Sequence, residues 1–151
     1  MQPGGFNYSY YEGSWNSLQD FKVTKAVKSG RADSVFAVNK LPADKNFVLV
    51  ITGQLEIKED GYYTFTIKAD NQSRLYVGNR LLINDSSSQS NNNRIMSFMV
   101  PLKKGFYAFR QEYLHQKGNA KLEIEYITPA GLPTKNSVII QRNVQFGRRQ
   151  G

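Results

Sequence analysis

The chain has 151 residues, a formal net charge of +8 and no cysteine, which excludes disulfides and thiolate chemistry. This length suits one domain with a buried core, and the longest apolar run, residues 47–51, is too short to cross a bilayer. The content of nine Phe, nine Tyr and twelve Gly residues is typical of an all-β module with short connections.

The positive charge does not form a nucleic-acid-binding pattern. Part of it comes from Arg142, Arg148 and Arg149, in a terminal stretch that contains no acidic residue. The other Lys and Arg residues are scattered among Asp and Glu, and no RNA-binding or helix-turn-helix signature is present. We therefore expect neither a nucleic-acid partner nor a membrane partner. Residues 1–5 lack the basic start and apolar segment of a signal peptide.

The first third of the chain contains one predicted strand and a long polar excursion. Aromatic residues alternate over 6–10, which predicts the strand, whereas Trp15, Leu18 and Phe21 lose this period and indicate a capping loop or a single helical turn. Residues 22–46 are polar, with isolated apolar residues predicted to anchor a surface excursion. These anchors are Val27, Val35, Phe36, Val38 and Leu41.

Two strands joined by a tight turn form the predicted centre of the fold. Residues 47–58 begin with an apolar run, as in a central strand, and end in alternation. Residues 61–69 alternate throughout, and Gly61 supplies the positive φ that the turn before them requires. The predicted core face of the second strand consists of Tyr63, Phe65, Ile67 and Ala69.

A polar corner, Asp70–Ser73, follows this strand. A hairpin around Gly78 and Asn79 then joins strands predicted over 74–77 and 80–83. The stretch 84–93 is rich in Ser and Asn and has no periodicity, so it is predicted to be a mobile loop.

The last predicted strands are residues 95–102, 106–114, 120–127 and a short segment at 138–140. In the second of these, Gln111 is the one polar residue on the face of Tyr107, Phe109 and Tyr113. The whole pattern predicts an all-β, antiparallel two-sheet sandwich, jelly-roll-like, with little or no helix. We expect a single domain over 1–151: a core of about 5–127, a loop and last strand over 128–140, and a basic tail or linker over 141–151.

The sequence does not indicate catalysis. Glu123 and Glu125 share the outward face of a strand, where their spacing suits a solvated face better than an acid and nucleophile pair. His115 is the only histidine, beside a turn, and alone it builds neither a zinc site nor a triad. We expect the domain not to be an enzyme.

Several motifs occur in a familiar order along residues 5–127. They are Gly5-Phe, Glu59-Asp-Gly-Tyr-Tyr-Thr-Phe65, Asp70-Asn-x-Ser-Arg-Leu-Tyr-Val77, Leu102-Lys-Lys-Gly-x-Tyr107 and Ala120-x-Leu-x-Ile124. This order resembles the PA-fourteen (PA14) domain, a family named after a fragment of anthrax protective antigen.

The resemblance implies a β-sandwich module appended to larger extracellular proteins such as glycoside hydrolases, toxins and adhesins. The opening Tyr10-Tyr-Glu-Gly-x-Trp15 looks most like copies attached to bacterial glycosidases, including β-N-acetylhexosaminidases. The implied location is extracellular, periplasmic or at the cell surface. In lectin-like members of the family, two consecutive Asp residues joined by a cis peptide hold a calcium ion that coordinates sugar hydroxyls.

Here Asp70 matches the first of these residues, and Asn71 stands in place of the second. An amide keeps an oxygen donor but removes a charge, so a calcium site would be weaker than in the lectins, or absent. Asp85 would restore a carboxylate if its loop folds over Asp70, which makes Asp70, Asn71 and Asp85 the candidate calcium ligands. The alternative is a turn in which Asp70 and Asn71 bond their own backbone.

We expect Asp70, Asn71 and Asn84 to contact a sugar. Among the aromatic residues, Trp15 and Tyr76 are the best candidates for stacking on a pyranose ring, ahead of Tyr8 and Tyr11. The alternative for each of these four is packing in the core.

The predicted function is a non-catalytic, carbohydrate-binding accessory module of a larger secreted or cell-envelope protein, with a glycoside hydrolase as the expected parent. Its partners would be a glycan and neighbouring domains of the same chain, with the domain itself monomeric. The alternative is a structural domain that packs against a neighbouring domain and has no ligand of its own.

Overall fold

A computed structural model describes residues 6–31, 45–86, 94–116, 120–129 and 144–145. A short 3-10 helix is formed by Leu18–Asp20. The strands are β1 (Phe6–Glu12), β2 (Lys28–Arg31), β3 (Phe47–Ile57), β4 (Gly61–Ala69), β5 (Ser73–Val77), β6 (Arg80–Asp85), β7 (Arg94–Leu102), β8 (Gly105–His115), β9 (Leu122–Ile127) and β10 (Val144–Gln145).

The strands form two sheets, which confirms the predicted all-β fold. One sheet has six strands in the order β2-β1-β3-β8-β5-β6, and its neighbouring strands are antiparallel. The other has four strands in the order β10-β9-β4-β7, where only the pair β10 and β9 is parallel. One hydrophobic cluster contains residues of both sheets, so the sheets pack face to face as a sandwich.

The alternation of β4 works as predicted. Its residues Tyr63, Phe65, Ile67 and Ala69 are buried in the shared core. They face inward-pointing residues of the six-stranded sheet such as Leu49, Ile51 and Phe109. Gln111 is also fully buried on the core face of β8, and among the described residues its Oε1 has no hydrogen-bond partner.

The apolar run of β3 is buried on both faces because a second cluster covers the outside of the six-stranded sheet. Val48 and Val50 point outward and are covered by the segment 13–26, which we call the cap. Leu18 and Phe21 of the cap pack on them together with Tyr11 and Leu114, and Trp15 and Ala26 lie against this cluster. The sequence predicted a capping loop or a single helical turn, and the segment is a capping loop that contains one 3-10 turn.

Two turns require glycine or asparagine. Gly61 has φ +150°, and Gly78 and Asn79 have φ 63° and 66°. Two consecutive residues with positive φ form a hairpin turn whose twist matches that of its strands, as the sequence predicts.

Three chain crossings between the sheets start from one end of the sandwich. In the register, Ala69 at the end of β4 lies opposite Arg94 at the start of β7 and Leu122 at the start of β9. In the other sheet, Ser73 at the start of β5 lies opposite Asp85 at the end of β6. The connections β4 to β5, β6 to β7 and β8 to β9 therefore belong to the same end, which we call the crossing end.

The polar excursion 22–46 differs from its prediction. It contains β2, which pairs with the edge of β1 through its backbone and carries no apolar side chain, so periodicity gave no signal for it. Gly30 of β2 faces the ring of Tyr8, where a Cβ would lie 3.2 Å from the ring. Val27 is 62% exposed, so its prediction as an anchor is wrong. The anchors predicted at 35–41 lie outside the described residues.

Three further boundaries and faces differ from the prediction. Asn84 and Asp85 belong to β6 and not to the predicted loop, whose remainder at 87–93 lies outside the described residues. The strand predicted at 138–140 also lies outside them, whereas β10 falls within the predicted tail. Glu125 is only 3% exposed, so the solvated face predicted for it is wrong. Alternation assigns a residue to a face of a sheet, but it does not show whether that face is covered.

In the described part of the chain, no helix has the length and hydrophobicity to span a membrane.

Candidate functional site

The polar corner lies at the crossing end, and Asp70 is its best-connected residue. The main-chain N–H of Asp70 donates to the carbonyl of Lys121 at 3.1 Å, which ties the end of β4 to the start of β9. Its Oδ1 accepts from the N–H of Lys121 at 3.0 Å and from the hydroxyl of Tyr113. Its Oδ2 lies 2.9 Å from Nδ1 of His115. Both carboxylate oxygens are thus engaged by protein groups.

Tyr113 and His115 come to Asp70 from the end of β8, where alternate residues share the core face. Both side chains are fully buried. Burial, and then the charge of Asp70, raise the pKa of Tyr113 well above its usual value of 10.0, so the hydroxyl stays protonated and donates. The ring of His115 packs 4.9 Å from that of Phe47. His115 is therefore the buried last residue of a strand and not a lone histidine of the following turn.

Asn71 points to a different set of partners. Its Oδ1 accepts from the N–H of Gln72 at 2.8 Å and from Nη1 of Arg94 at 3.3 Å, and its Nδ2 donates to Gln116 at 3.3 Å. The bond to Gln72 is the local turn interaction that the sequence offered as an alternative. Arg94 also places its Nε 3.2 Å from Oδ2 of Asp85. A buried guanidinium thus joins Asn71 to Asp85.

These contacts do not suit a calcium ion. Calcium takes roughly six to eight oxygen ligands at 2.3–2.6 Å. Oδ1 of Asp70 accepts hydrogen bonds and its Oδ2 faces His115, while Oδ1 of Asn71 and Oδ2 of Asp85 face the positive charge of Arg94. Within the described ranges, no cluster of three Asp, Glu, His or Cys residues is arranged to hold a metal. The peptide bond between Asp70 and Asn71 is not cis.

The cap is fastened to the corner by two glutamines. The buried side chain of Gln72 accepts from the N–H of Leu18 at 2.9 Å and donates to the carbonyl of Asn16 at 3.1 Å. Gln116 donates to the carbonyl of Trp15 at 2.8 Å. The loop before the 3-10 helix is therefore held against the corner, which makes the crossing end a single hydrogen-bonded unit.

The predicted aromatic residues are distributed over the molecule. Trp15 is half-buried, and its ring packs edge-on against Phe21 with centroids 5.4 Å apart, as part of the cap. Tyr11 is buried in the same cluster, and Tyr8 packs against the main core. Tyr76 is half-exposed on the outer face of the six-stranded sheet, away from the corner along β5. For Tyr8, Tyr11 and Trp15, the packing alternative describes the observed environment.

The structure joins Asn71 to Asp85 through Arg94, whereas Asp70 has its own partners, Tyr113, His115 and Lys121. Asn84 is exposed next to Asp85 on β6. Sequence reasoning missed the groups that bind these residues. The missed residues are Arg94, Tyr113, His115 and Gln116, whereas Gln72 belongs to the predicted polar corner. Most of them lie at or next to the ends of predicted strands. The available signal was therefore the set of strand ends that meet at one edge of the sandwich.

Solved structures similar to this chain share its fold at low sequence identity. An anti-sigma factor domain-containing protein superposes with a TM-score of 0.72 at 18% identity, over 97% of this chain and 49% of that one. The PA14 sugar-binding domain of an RTX adhesin gives a TM-score of 0.66 at 19% identity, over 88% of this chain and 94% of that domain. A β-glucosidase from Kluyveromyces marxianus, in complex with glucose, gives 0.60 at 21% identity, over 82% of this chain and 15% of the enzyme.

This chain thus spans about half, or much less, of two of these three proteins. A search of curated protein sequences gives no significant match. The family model of the PA14 domain matches residues 2–141. The chain belongs to the PA14 domain family.

Proposed function

We propose that this domain is a non-catalytic, carbohydrate-binding accessory module of a larger protein. The observation that carries the proposal is the family match, which covers residues 2–141. Support comes from the similar structures, which include a PA14 domain described as sugar-binding and a glycosidase. We further propose that the parent protein is a secreted or cell-surface protein, with a glycoside hydrolase as the first candidate.

The crossing end is the proposed place for a sugar. Three inter-sheet connections and the cap meet there, and amide side chains offer both donors and acceptors to sugar hydroxyls. Asn84 is exposed and Asn71 is half-exposed, so both are accessible from solvent. The carboxylate of Asp70 is bound by Tyr113, Lys121 and the fully buried His115, so it holds the backbone next to Asn71 in place.

We propose that sugar binding here does not require calcium. Arg94 already provides a positive charge between Asn71 and Asp85, two of the three residues expected to bind the metal. Asn71 is neutral, so less negative charge has to be balanced here than at a site with a second carboxylate. The single positive charge of Arg94 is therefore compatible with Asn71.

The test is a glycan array probed with the isolated domain, in calcium and in a chelator, followed by calorimetry on the best ligand. We expect binding in both buffers, and a loss of at least about fivefold in affinity for Asn84→Ala, the effect of about one hydrogen bond. Thr64→Ala is the matched control, since Thr64 is a half-exposed polar residue on the four-stranded sheet. No bound glycan in either buffer would refute the proposal.

A second candidate function is a structural role against a neighbouring domain, and the edge strand β7 favours it. Ile95 and Met99 on its outer face are 53% and 61% exposed, and Phe98 is 42% exposed. A long edge strand with apolar side chains and unpaired backbone groups is suited to being covered by another protein surface. Amide hydrogen exchange on the isolated domain and on a larger parent protein tests this role. The role predicts slower exchange of β7 in the parent, and equal exchange would contradict it.

A further inference from the structure

Part of the outer face of the six-stranded sheet lies beyond the residues that the cap covers. In the register, Tyr76 of β5 lies beside Arg110 of β8, Arg110 beside Thr52 of β3, and Thr52 beside Asn7 of β1. Asn7 in turn lies beside Arg31 of β2. Each of these five side chains is exposed or half-exposed. They form a polar row across five strands, which we call the Tyr76–Arg31 row.

A buried carboxylate organises one part of this face. Glu112 is 4% exposed; its Oε1 lies 2.7 Å from Nη2 of Arg74, and its Oε2 lies 2.8 Å from Nε of Arg110. Arg74 also donates to the carbonyl of Leu18 at 3.2 Å, which binds the cap to the sheet. One carboxylate thus faces two guanidinium groups, and the group of three carries a net charge of +1.

Among the described residues, Arg110, unlike Arg74, makes no hydrogen bond to the cap. Its side chain is 35% exposed, and the hydrogen bond that the described part of the chain gives it uses Nε alone. This bond restrains the guanidinium, and among the described residues no hydrogen bond engages its two terminal nitrogens. A guanidinium that keeps its terminal N–H groups for a ligand can bind a carboxylate through two parallel hydrogen bonds.

An aromatic ring lies directly beside this guanidinium. Tyr76 pairs with Arg110 on one side and with Leu81, which is 44% exposed, on the other. An exposed ring of this kind offers an apolar platform with a polar edge, on which a sugar ring can stack. A neutral sugar would use the ring alone, whereas a sugar acid would use both the ring and Arg110.

We infer that the Tyr76–Arg31 row binds a carboxylated glycan, with a uronate ring on Tyr76 and its carboxylate on Arg110. The inference rests on the proposed carbohydrate-binding function and places a ligand class on a different surface from the corner. Arg110 and Arg31 place positive charge at two points of the row, as an anionic polymer requires. Arg31 lies three strands from Arg110, a distance of about 14 Å at the usual strand spacing. At this distance Arg31 binds a second carboxylate of the same polymer.

Calorimetry with polygalacturonate, and with the same polymer after methyl esterification, tests the inference at about 150 mM salt, where distant charges are screened. We expect the wild type to bind polygalacturonate at least about tenfold more tightly than the ester, since each lost charged hydrogen bond weakens binding by about that factor. Arg110→Gln and Tyr76→Ala should each lose about tenfold, while Tyr76→Phe should retain binding within about twofold. Lys103→Gln removes an equal charge from an exposed turn residue outside the row, and it should also bind within about twofold of wild type.

Melting temperatures establish that each variant is folded, and the esterified polymer tests the inference on the wild type without any substitution. Equal losses for Arg110→Gln and Lys103→Gln would overturn the inference, as would single-stranded DNA binding with the same dependence on Arg110. Binding of neutral glycans without polygalacturonate would overturn the inference and leave the proposed function standing. Failure to bind any glycan would refute both.

Discussion

Replacement of Arg94 by Met should destabilise the domain strongly. Arg94 and Asp85 have side-chain exposures of only 5% and 13%, and Met retains much of the apolar stem of arginine while it removes the charge. Removal of one partner of a fully buried ion pair costs about 3–5 kcal/mol, because the other charge is left without compensation. Asp85 keeps some contact with water, so we expect a loss of about 2–3 kcal/mol. For a domain of this size, the melting temperature falls by about 2–4 °C per kcal/mol, or about 4–12 °C in total.

A double-mutant cycle separates the ion pair from the other contacts of Arg94, which include Asn71. The variants are Arg94→Met, Asp85→Asn and the double substitution, each unfolded in urea and by heat. Asp85→Asn removes the carboxylate and keeps the side-chain shape, so the double variant should be more stable than the sum of single losses predicts. We expect a coupling free energy above about 1 kcal/mol between Arg94 and Asp85. A value below about 0.5 kcal/mol, as for exposed pairs, would refute a stabilising buried ion pair.

Three further predictions concern the core and the turns. Tyr113→Phe should cost about 1–2 kcal/mol at neutral pH. Because the pKa of Tyr113 is raised in the folded state, its protonated hydroxyl stabilises the fold below pH 10, and this stabilisation is lost as the pH rises further. The difference in the free energy of unfolding between wild type and Tyr113→Phe, measured in urea, should therefore narrow above pH 10. A difference that stays constant would contradict this. Gln111→Met removes a buried amide whose oxygen has no partner among the described residues. In urea unfolding, the free energy of unfolding should therefore fall by less than about 1 kcal/mol or rise, and a fall of more than about 2 kcal/mol would contradict this. Gly61→Ala should lower the melting temperature more than Gly105→Ala: both glycines have φ near +150°, but only at Gly61 would a Cβ lie 2.5 Å from Pro129. Equal shifts would contradict the steric argument.

The alternation of apolar residues was sufficient to predict the core of the sandwich. The core faces of β4 and β8 follow from a period of two, and the turns at Gly61 and Gly78 follow from residues that tolerate positive φ. Strand β2 could not be predicted in this way, because its backbone pairs with an edge while its side chains bury nothing.

The candidate site was predicted only in part, because its interactions join residues far apart in sequence. Asp70 and Asn71 were recognisable as polar residues directly after a buried strand. Their partners His115 and Arg94 become visible only when the register places the ends of β8 and β7 beside that strand. The same limit applies to Glu125, whose burial depends on what covers its face.

The decisive measurement is calorimetry of the isolated domain with its best array glycan, in calcium and in a chelator. We expect saturable binding with the same affinity in both buffers, because Arg94 provides the positive charge between Asn71 and Asp85. Binding that disappears in the chelator would contradict the assignment of Arg94. The absence of binding in either buffer would contradict the carbohydrate-binding function itself.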